Sequence, residues 1–246
     1  KNVVETIREK CRVCFTCVRE CPAKAIRIRD GQAEIMGARC IGCGNCVKVC
    51  SQKAKRVLSS LDNVRTILQS KDKKIAMVAP SFPAEFHDVD HKRMVGALKK
   101  LGFDHVHEVG FGADLVSLAY KKLLVSNPDK SYIATTCPSI VAYVEKYYPE
   151  LVPHLAPIVS PMIATARVLR KLYGKKAKLV FIGPCVAKKG EKEKKGYDGE
   201  IDEVMTFVEL RDFFDSLGID RYNCGEADFD EPSASKGALY AVSRGL

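Results

Sequence analysis

Apolar and polar positions change rhythm once along this chain. In the first fifty-odd residues the only sustained pattern is RIRDGQAEIM, where apolar and polar positions alternate around Asp30-Gly31. Alternation about an Asp-Gly pair predicts a β-hairpin. Beyond it the spacing of apolar positions predicts a helix over Val57 to Gln69, and the short apolar run Ile75–Ala79, closed by Pro80, predicts a strand. HKRMVGALKKLGF has helical spacing with Gly102 as its stop, VHEVGF reads as a strand, and Ala113 to Val125 as a helix closed by Asn127-Pro128. Tyr132 to Thr136 reads as a strand, SIVAYVEKYYPEL as a helix and LAPIVSP as a short strand. MIATARVLRKLYG is a helix ending at Gly174, KLVFIGP a strand, Asp202 to Thr206 a further strand, and FVELRDFFDSLG a helix. Strands that alternate with helices predict an α/β domain with a largely parallel sheet. The expected organisation is a small α+β module over 1–56, a helical connector over 57–74 and the α/β domain over 75–246.

Composition adds a core and removes a membrane. Hydrophobic residues make up 46% of the 246 positions, and no apolar stretch approaches the ~20 residues of a membrane span. No charged segment followed by an apolar one opens the chain, so the sequence reads as that of a soluble, cytoplasmic protein. The start at Lys1 and the end at Leu246, inside ALYAVSRGL, read as cut ends. The formal net charge is +10, carried by scattered lysine pairs such as Lys73/Lys74 and Lys188/Lys189. These pairs are not interleaved with aromatics as a single-strand stacking platform would need, which makes nucleic acid a poor partner. A solvated surface or an acidic partner fits better.

Eight of the eleven cysteines sort into two runs: KCRVCFTCVRECP, holding Cys11, Cys14, Cys17 and Cys21, and ARCIGCGNCVKVCS, holding Cys40, Cys43, Cys46 and Cys50. Both are C-x2-C-x2-C-x3-C, an internal repeat that resembles the run of bacterial two-cluster ferredoxins. Three thiolates on one tight loop reach three corners of a cubane, and the fourth, carried away by the following helix, serves the other cluster. The expected sets are therefore Cys11, Cys14, Cys17 with Cys50, and Cys40, Cys43, Cys46 with Cys21. Gly42 and Gly44 let the second loop approach the sulfides. Ser51 stands where Pro22 follows the first run, which loosens that turn without touching a ligand. Two such clusters with eight thiolates add about −4, which brings the loaded chain to about +6. Zinc has no use for this doubled pattern, and disulfides do not suit a chain without an export signal.

Three strand ends carry a proline: AlaProSer at 79–81, ThrCysPro at 136–138 and GlyProCys at 183–185. Ligands of parallel sheets gather at such ends. Read alone, Cys137 and Cys185 each fit a buried structural thiol, a nucleophile or a metal ligand. HDVDH at 87–91 reads as a solvated helix start rather than a metal motif. Taken together, the double run, the APS turn, GADL at 112–115, TTCP at 135–138 and PCVAKKGE at 184–191 fall in the order of the [FeFe]-hydrogenases, which the chain resembles over nearly its whole length. The 75–246 region is then the first part of that family's H-cluster domain.

The resemblance implies an H-cluster, a [4Fe–4S] cubane on four cysteines joined to a two-iron unit bearing CO and CN⁻. Cys137 and Cys185 would be two cubane ligands, Lys188 a charged donor to a cyanide, and Pro80 and Ser81 would line the diiron pocket. Glu191 closes the motif without a derived role. Thr136 stands where the family places a proton-donating cysteine, VSLAYKKLL lacks the family's acidic relay, and Gly183, before Pro184, replaces a methionine and leaves space beside the cluster. These departures imply a sensory or low-turnover member. The family's last two cubane ligands lie in a motif beyond Leu246, and Cys224 is read as a structural or free thiol. The complete H-cluster is accordingly expected only in a full-length protein, with the fragment inactive alone. Expected partners are H₂ and protons with an acidic redox protein such as a ferredoxin, or a signalling domain. The competing readings are a relative used in iron–sulfur assembly and a plain electron-transfer module.

Overall fold

A computed structural model describes residues 2–242; Lys1 and residues 243–246, on which the reading of cut ends bears, lie outside the described residues. The chain forms two compact units. The first gathers residues 2–58, 132–156 and 185–193, and the second gathers residues 59–131, 157–184 and 194–242.

In the first unit, β1 (Val4–Thr6) pairs antiparallel with β4 (Lys55–Val57), and β2 (Ile26–Arg29) pairs with β3 (Gln32–Ile35) as the expected hairpin. Asp30 and Gly31 at its tip have φ of 49° and 67°. Positive φ at both positions is what a tight turn matching strand twist requires. Each cysteine loop runs into a one-turn helix, α1 (Thr16–Arg19) and α2 (Asn45–Lys48). Two later segments join this unit: α7 (Pro138–Tyr147) and α9 (Ala187–Glu191). The core is small and apolar, built on Val4, Ala23, Ala25, Ile26, Ala33 and Ile35.

In the second unit, β5 (Lys74–Val78), β6 (His105–Glu108), β7 (Lys178–Gly183) and β8 (Glu203–Thr206) form a parallel sheet in the order β6-β5-β7-β8. Consecutive residues of β5 and β7 are buried on both faces, as in a sheet covered by helices on each side. The helices are α3 (Leu61–Leu68), α4 (Phe82–Glu85), α5 (His91–Leu101), α6 (Val109–Ser126), α8 (Pro161–Tyr173) and α10 (Phe207–Ser216). Asp90 caps α5 by accepting the Lys92 N–H at 2.8 Å, so HDVDH is a helix start. Thr206 and Glu209 form a capping box on α10, and the second carboxylate oxygen of Glu209 accepts the Ser60 N–H at 2.8 Å.

The structure departs from the sequence pattern in several places. The strand expected in VHEVGF ends at Glu108, so the helix expected from Ala113 starts already at Val109, and the helix expected over SIVAYVEKYYPEL stops at Tyr147, before Pro149. The helix expected from Val57 begins at Leu61, because Val57 pairs with Val4. The strands expected at Tyr132–Thr136 and in LAPIVSP are reduced to one parallel bridge, Ile133 to Leu155. Pro153 and Pro157 remove N–H donors on either side of Leu155, so no ladder can extend.

Candidate functional site

The two cysteine loops share an unusual backbone. Gly42 and Gly44 have φ of 72° and 76°, and the matching positions of the first loop, Val13 and Phe15, adopt 53° and 61°. One cavity is lined by Cys11, Cys14, Cys17 and Cys50, with Lys55 at its wall. Another is lined by Cys21, Cys40, Cys43 and Cys46. Each thus gathers three thiols of one run and the last thiol of the other. Backbone N–H groups already reach sulfur: Ala25 donates to Cys21 Sγ at 3.3 Å, Ala54 to Cys50 Sγ at 3.2 Å and Gly42 to Cys40 Sγ at 3.4 Å. Burial pushes the Cys46 thiol up to about 11 and raises that of Cys17, against the pull of Lys55 on both. The Thr16 hydroxyl, 3.5 Å from Cys14 Sγ, lowers the Cys14 thiol instead. Among the described residues no three Cys, His, Asp or Glu side chains converge on a single ion; the thiols ring a void. Four soft donors, an apolar wall and N–H bonds on sulfur fit a cubane of iron and sulfide, whose binding would displace the thiol protons.

The first unit holds a second group of chemical residues. Cys137 is exposed and stands at the N-cap position of α7 without a side-chain bond to the helix, with Pro138 at the first helical position. Cys185 is half-buried on the turn into α9. Burial raises its thiol; Lys188 and the backbone N–H groups of Ala187 and Lys188 oppose this, while the Cys137 thiol adds to it. Lys188 Nζ donates to Glu191 Oε2 at 2.6 Å and to the Thr136 carbonyl at 3.4 Å. The Lys188–Glu191 pair is buried, which gives Glu191 the partner that sequence reading lacked.

These residues sit against the second cysteine loop. A Cβ on Gly44 would stand 3.3 Å from Val186 Cγ2, and one on Gly42 would stand 3.6 Å from Ala187 Cα. From α7, Lys146 Nζ donates to the Cys40 carbonyl at 2.6 Å and to that of Gly37 at 3.1 Å, and the Tyr147 hydroxyl donates to the Arg39 carbonyl at 3.0 Å. Lys146 and Tyr147 were invisible in the sequence, where they are two polar positions at the end of a helix. They fasten the cavity of Cys40, Cys43 and Cys46 beside the turn that carries Cys185.

The other sequence-derived positions lie in the second unit. Pro80 follows β5, Ser81 precedes α4, and Gly183 and Pro184 end and follow β7, where the Ala79 N–H donates to the Ile182 carbonyl at 2.8 Å. The space expected at Gly183 is not open. A Cβ there would come within 2.7 Å of the Phe181 ring and 2.9 Å of Ala79 Cβ, because Phe181, two residues back on the same strand face, folds over it. The GADL segment lies inside α6, which starts earlier, at Val109. Its Gly112 is where α6 meets α8, a Cβ falling 2.4 Å from the Pro161 carbonyl. Its Asp114 accepts the N–H groups of Ser235 at 2.8 Å and Gly237 at 2.7 Å.

Comparison with known proteins agrees with this architecture. Residues 72–246 match the family described as iron-only hydrogenase large subunit, C-terminal domain, and residues 4–51 match the 4Fe–4S dicluster domain. The chain is 35% identical to the periplasmic [Fe] hydrogenase large subunit of Nitratidesulfovibrio vulgaris, over 89% of this chain and 59% of that protein. It is 28% identical to the cytosolic Fe–S cluster assembly factor NAR1 of Yarrowia lipolytica, over 47% of this chain and 25% of that one. A solved variant of the [FeFe]-hydrogenase HydA1 from Chlamydomonas reinhardtii superposes with a TM-score of 0.64 at 28% identity, covering 72% of this chain and 52% of that one. The chain therefore spans between 38% and 59% of the length of the curated hydrogenases it matches. No helix among the described residues is long and apolar enough to cross a membrane. With a dicluster domain at its head and a hydrogenase-like parallel sheet behind it, this iron–sulfur protein belongs to the iron-only hydrogenase large subunit family.

Proposed function

We propose that the chain conducts single electrons between a redox partner and an H₂-active centre, through two [4Fe–4S] clusters. Cys11, Cys14, Cys17 and Cys50 hold one cluster; Cys21, Cys40, Cys43 and Cys46 hold the other. The observation that carries this reading is the crosswise sorting of eight thiols into two cavities, one of them fastened beside Cys185. Residues 1–56 form the two-cluster module, 57–74 the connector and 75–246 the beginning of the catalytic domain. Cys137 and Cys185 supply two of the four thiolates of a further cubane. When bound there, the H-cluster supplies the iron chemistry of H₂; the chain's own residues orient and protonate. Lys188, held by Glu191 and the Thr136 carbonyl, offers a fixed charged donor. Pro80 and Ser81, which follow β5, and Gly183 and Pro184, at the end of β7, are the positions that the family resemblance assigns to the cofactor.

Turnover is low, and the full-length protein senses H₂ rather than processing it in bulk. Thr136 offers a hydroxyl, a far poorer acid than a thiol, and VSLAYKKLL carries no acid to relay a proton. The redox partner is acidic, to match a net charge of +10, and the location is cytoplasmic, which fractionation of source cells would check. The direct test is iron and acid-labile sulfide per chain after anaerobic reconstitution. About eight irons are expected from the 246-residue chain, because only Cys224 remains beyond Cys137 and Cys185 and its thiol donates to the Asp220 carbonyl. About four irons would refute the two-cluster reading, and about twelve would show a third cubane assembling without the further ligands. A second reading, an assembly protein that keeps cubanes and lacks the diiron unit, draws on the likeness to NAR1. CO and CN⁻ bands in the infrared spectrum of the matured longer protein would exclude it.

A further inference from the structure

We propose that Lys55 is an internal counter-charge shared by the two clusters and that it sets their reduction potentials. The inference rests on the two-cluster reading above. Lys55 lies on β4 and is only 4% exposed. Its ammonium donates to Thr6 Oγ1 and, at 2.9 Å, to the carbonyl of Ala33. The Thr6 hydroxyl donates to that same carbonyl at 2.6 Å. All these acceptors are neutral, and among the described residues no Asp or Glu is paired with Lys55. A buried charge without a counter-ion is costly. The negative charge it lacks is next to it. Lys55 lines the cavity of Cys11, Cys14, Cys17 and Cys50, and its strand β4 packs against α2, which carries Cys46 of the other cavity. One ammonium therefore stands within electrostatic reach of both thiolate sets.

The internal repeat shows that shape does not demand a lysine there. Cys21-Pro22-Ala23-Lys24-Ala25-Ile26 aligns with Cys50-Ser51-Gln52-Lys53-Ala54-Lys55. Lys24 and Lys53 share positive φ, 44° and 50°, and Ala25 and Ala54 both donate to the preceding cysteine sulfur. The next residue is buried in both halves: Ile26 at 5% and Lys55 at 4%. One half of the module fills this position with a hydrocarbon, and the other with a charge. Cluster reduction adds one negative charge, so a nearby fixed cation favours the reduced form and raises the potential.

The test uses the reconstituted chain, with iron content and circular dichroism recorded first. Redox titrations followed by electron paramagnetic resonance then compare Lys55→Ile, which copies the other half of the repeat, and Lys55→Gln, which keeps an amide donor. Both neutral variants should lower the cluster reduction constants at least tenfold, a shift of about 59 mV to more negative potential for one electron. Lys55→Arg should stay near the wild type, and so should the exposed control Lys24→Met. Loaded neutral variants within twofold of the wild type would overturn the proposal. Should neither neutral variant load its clusters, Lys55→Arg decides: loading with Arg supports a required charge, and failure with Arg shows a role of shape. A wild-type chain that binds no cluster pair would remove the reading and this inference together, whereas loaded but unshifted variants remove the inference alone.

Discussion

The Lys188–Glu191 pair separates what holds the site together from what the site does. Nζ and Oε2 lie 2.6 Å apart, and the two side chains are 10% and 6% exposed. At an effective dielectric of about 20, unit charges at that distance attract by about 6 kcal/mol. Desolvation takes back several kcal/mol for each ion, so the net worth of the pair is near zero. Removing one partner is another matter: the survivor stays buried and charged, and the expected loss is about 3–5 kcal/mol. Lys188→Met and Glu191→Met should each therefore lower stability by that much, while the double variant returns to within about 1 kcal/mol of the wild type. Urea unfolding of the reconstituted chain, followed by circular dichroism and by cluster absorbance, measures all four corners of the cycle. The reasoning fails if the single losses are below about 1 kcal/mol, or if the double variant loses the sum of the two. A large loss for Lys188→Met with a small one for Glu191→Met would point to another group as the main counter-ion of the lysine.

Three further outcomes are expected. His107 is 1% exposed on β6, with its Nε2 3.0 Å from the Tyr173 hydroxyl and its Nδ1 without a hydrogen-bond partner among the described residues, and burial lowers its pKa from 6.5 to about 4. The unfolded chain thus takes up the proton first, so this contribution to stability is intact above pH 6.5, falls as the pH drops, and is lost by about 3 kcal/mol near pH 4; His107→Phe should flatten that part of the pH profile of urea midpoints. Val13 is β-branched at φ 53°, a conformation costing about 1–3 kcal/mol, and Val13→Gly should stabilise the chain by about 1 kcal/mol after the entropic cost of glycine; a lower urea midpoint would refute the strain. In the matured full-length protein Thr136→Cys should raise H₂ turnover at least about tenfold, and unchanged turnover would show that proton supply at this position is not limiting.

Much of this was legible in the sequence because it depends on local rules. The Asp30-Gly31 hairpin, the helix start at HDVDH and the four strands of the parallel sheet follow from turn chemistry and apolar runs that act over a few residues. The return of residues 132–156 and 185–193 to the N-terminal module was not legible, because it is made by contacts far apart in sequence. Lys146 reaches the Cys40 carbonyl across 106 positions, and no periodicity announces such a bond. The filled space at Gly183 was hidden for a different reason: a missing side chain looks like room until the neighbour two residues away is seen to occupy it.

The internal repeat shows how the two halves of one motif acquire different duties. Both cysteine loops need a left-handed residue at the same two positions, yet one loop uses glycine and the other Val13 and Phe15. Conformation alone would favour glycine in both. The difference lies in what approaches. The second loop is met by Val186 and Ala187, and a Cβ at Gly44 would already press on Val186 at 3.3 Å. Phe15 in the first loop is 48% exposed, so side chains are tolerated there and only backbone strain opposes them. Glycine thus marks the loop that must lie close to the turn bearing Cys185. The same logic applies one turn further on, where Ile26 and Lys55 share a buried position with opposite chemistry. This asymmetry agrees with the proposed role, in which electrons pass between the two cavities and the turn that carries Cys185.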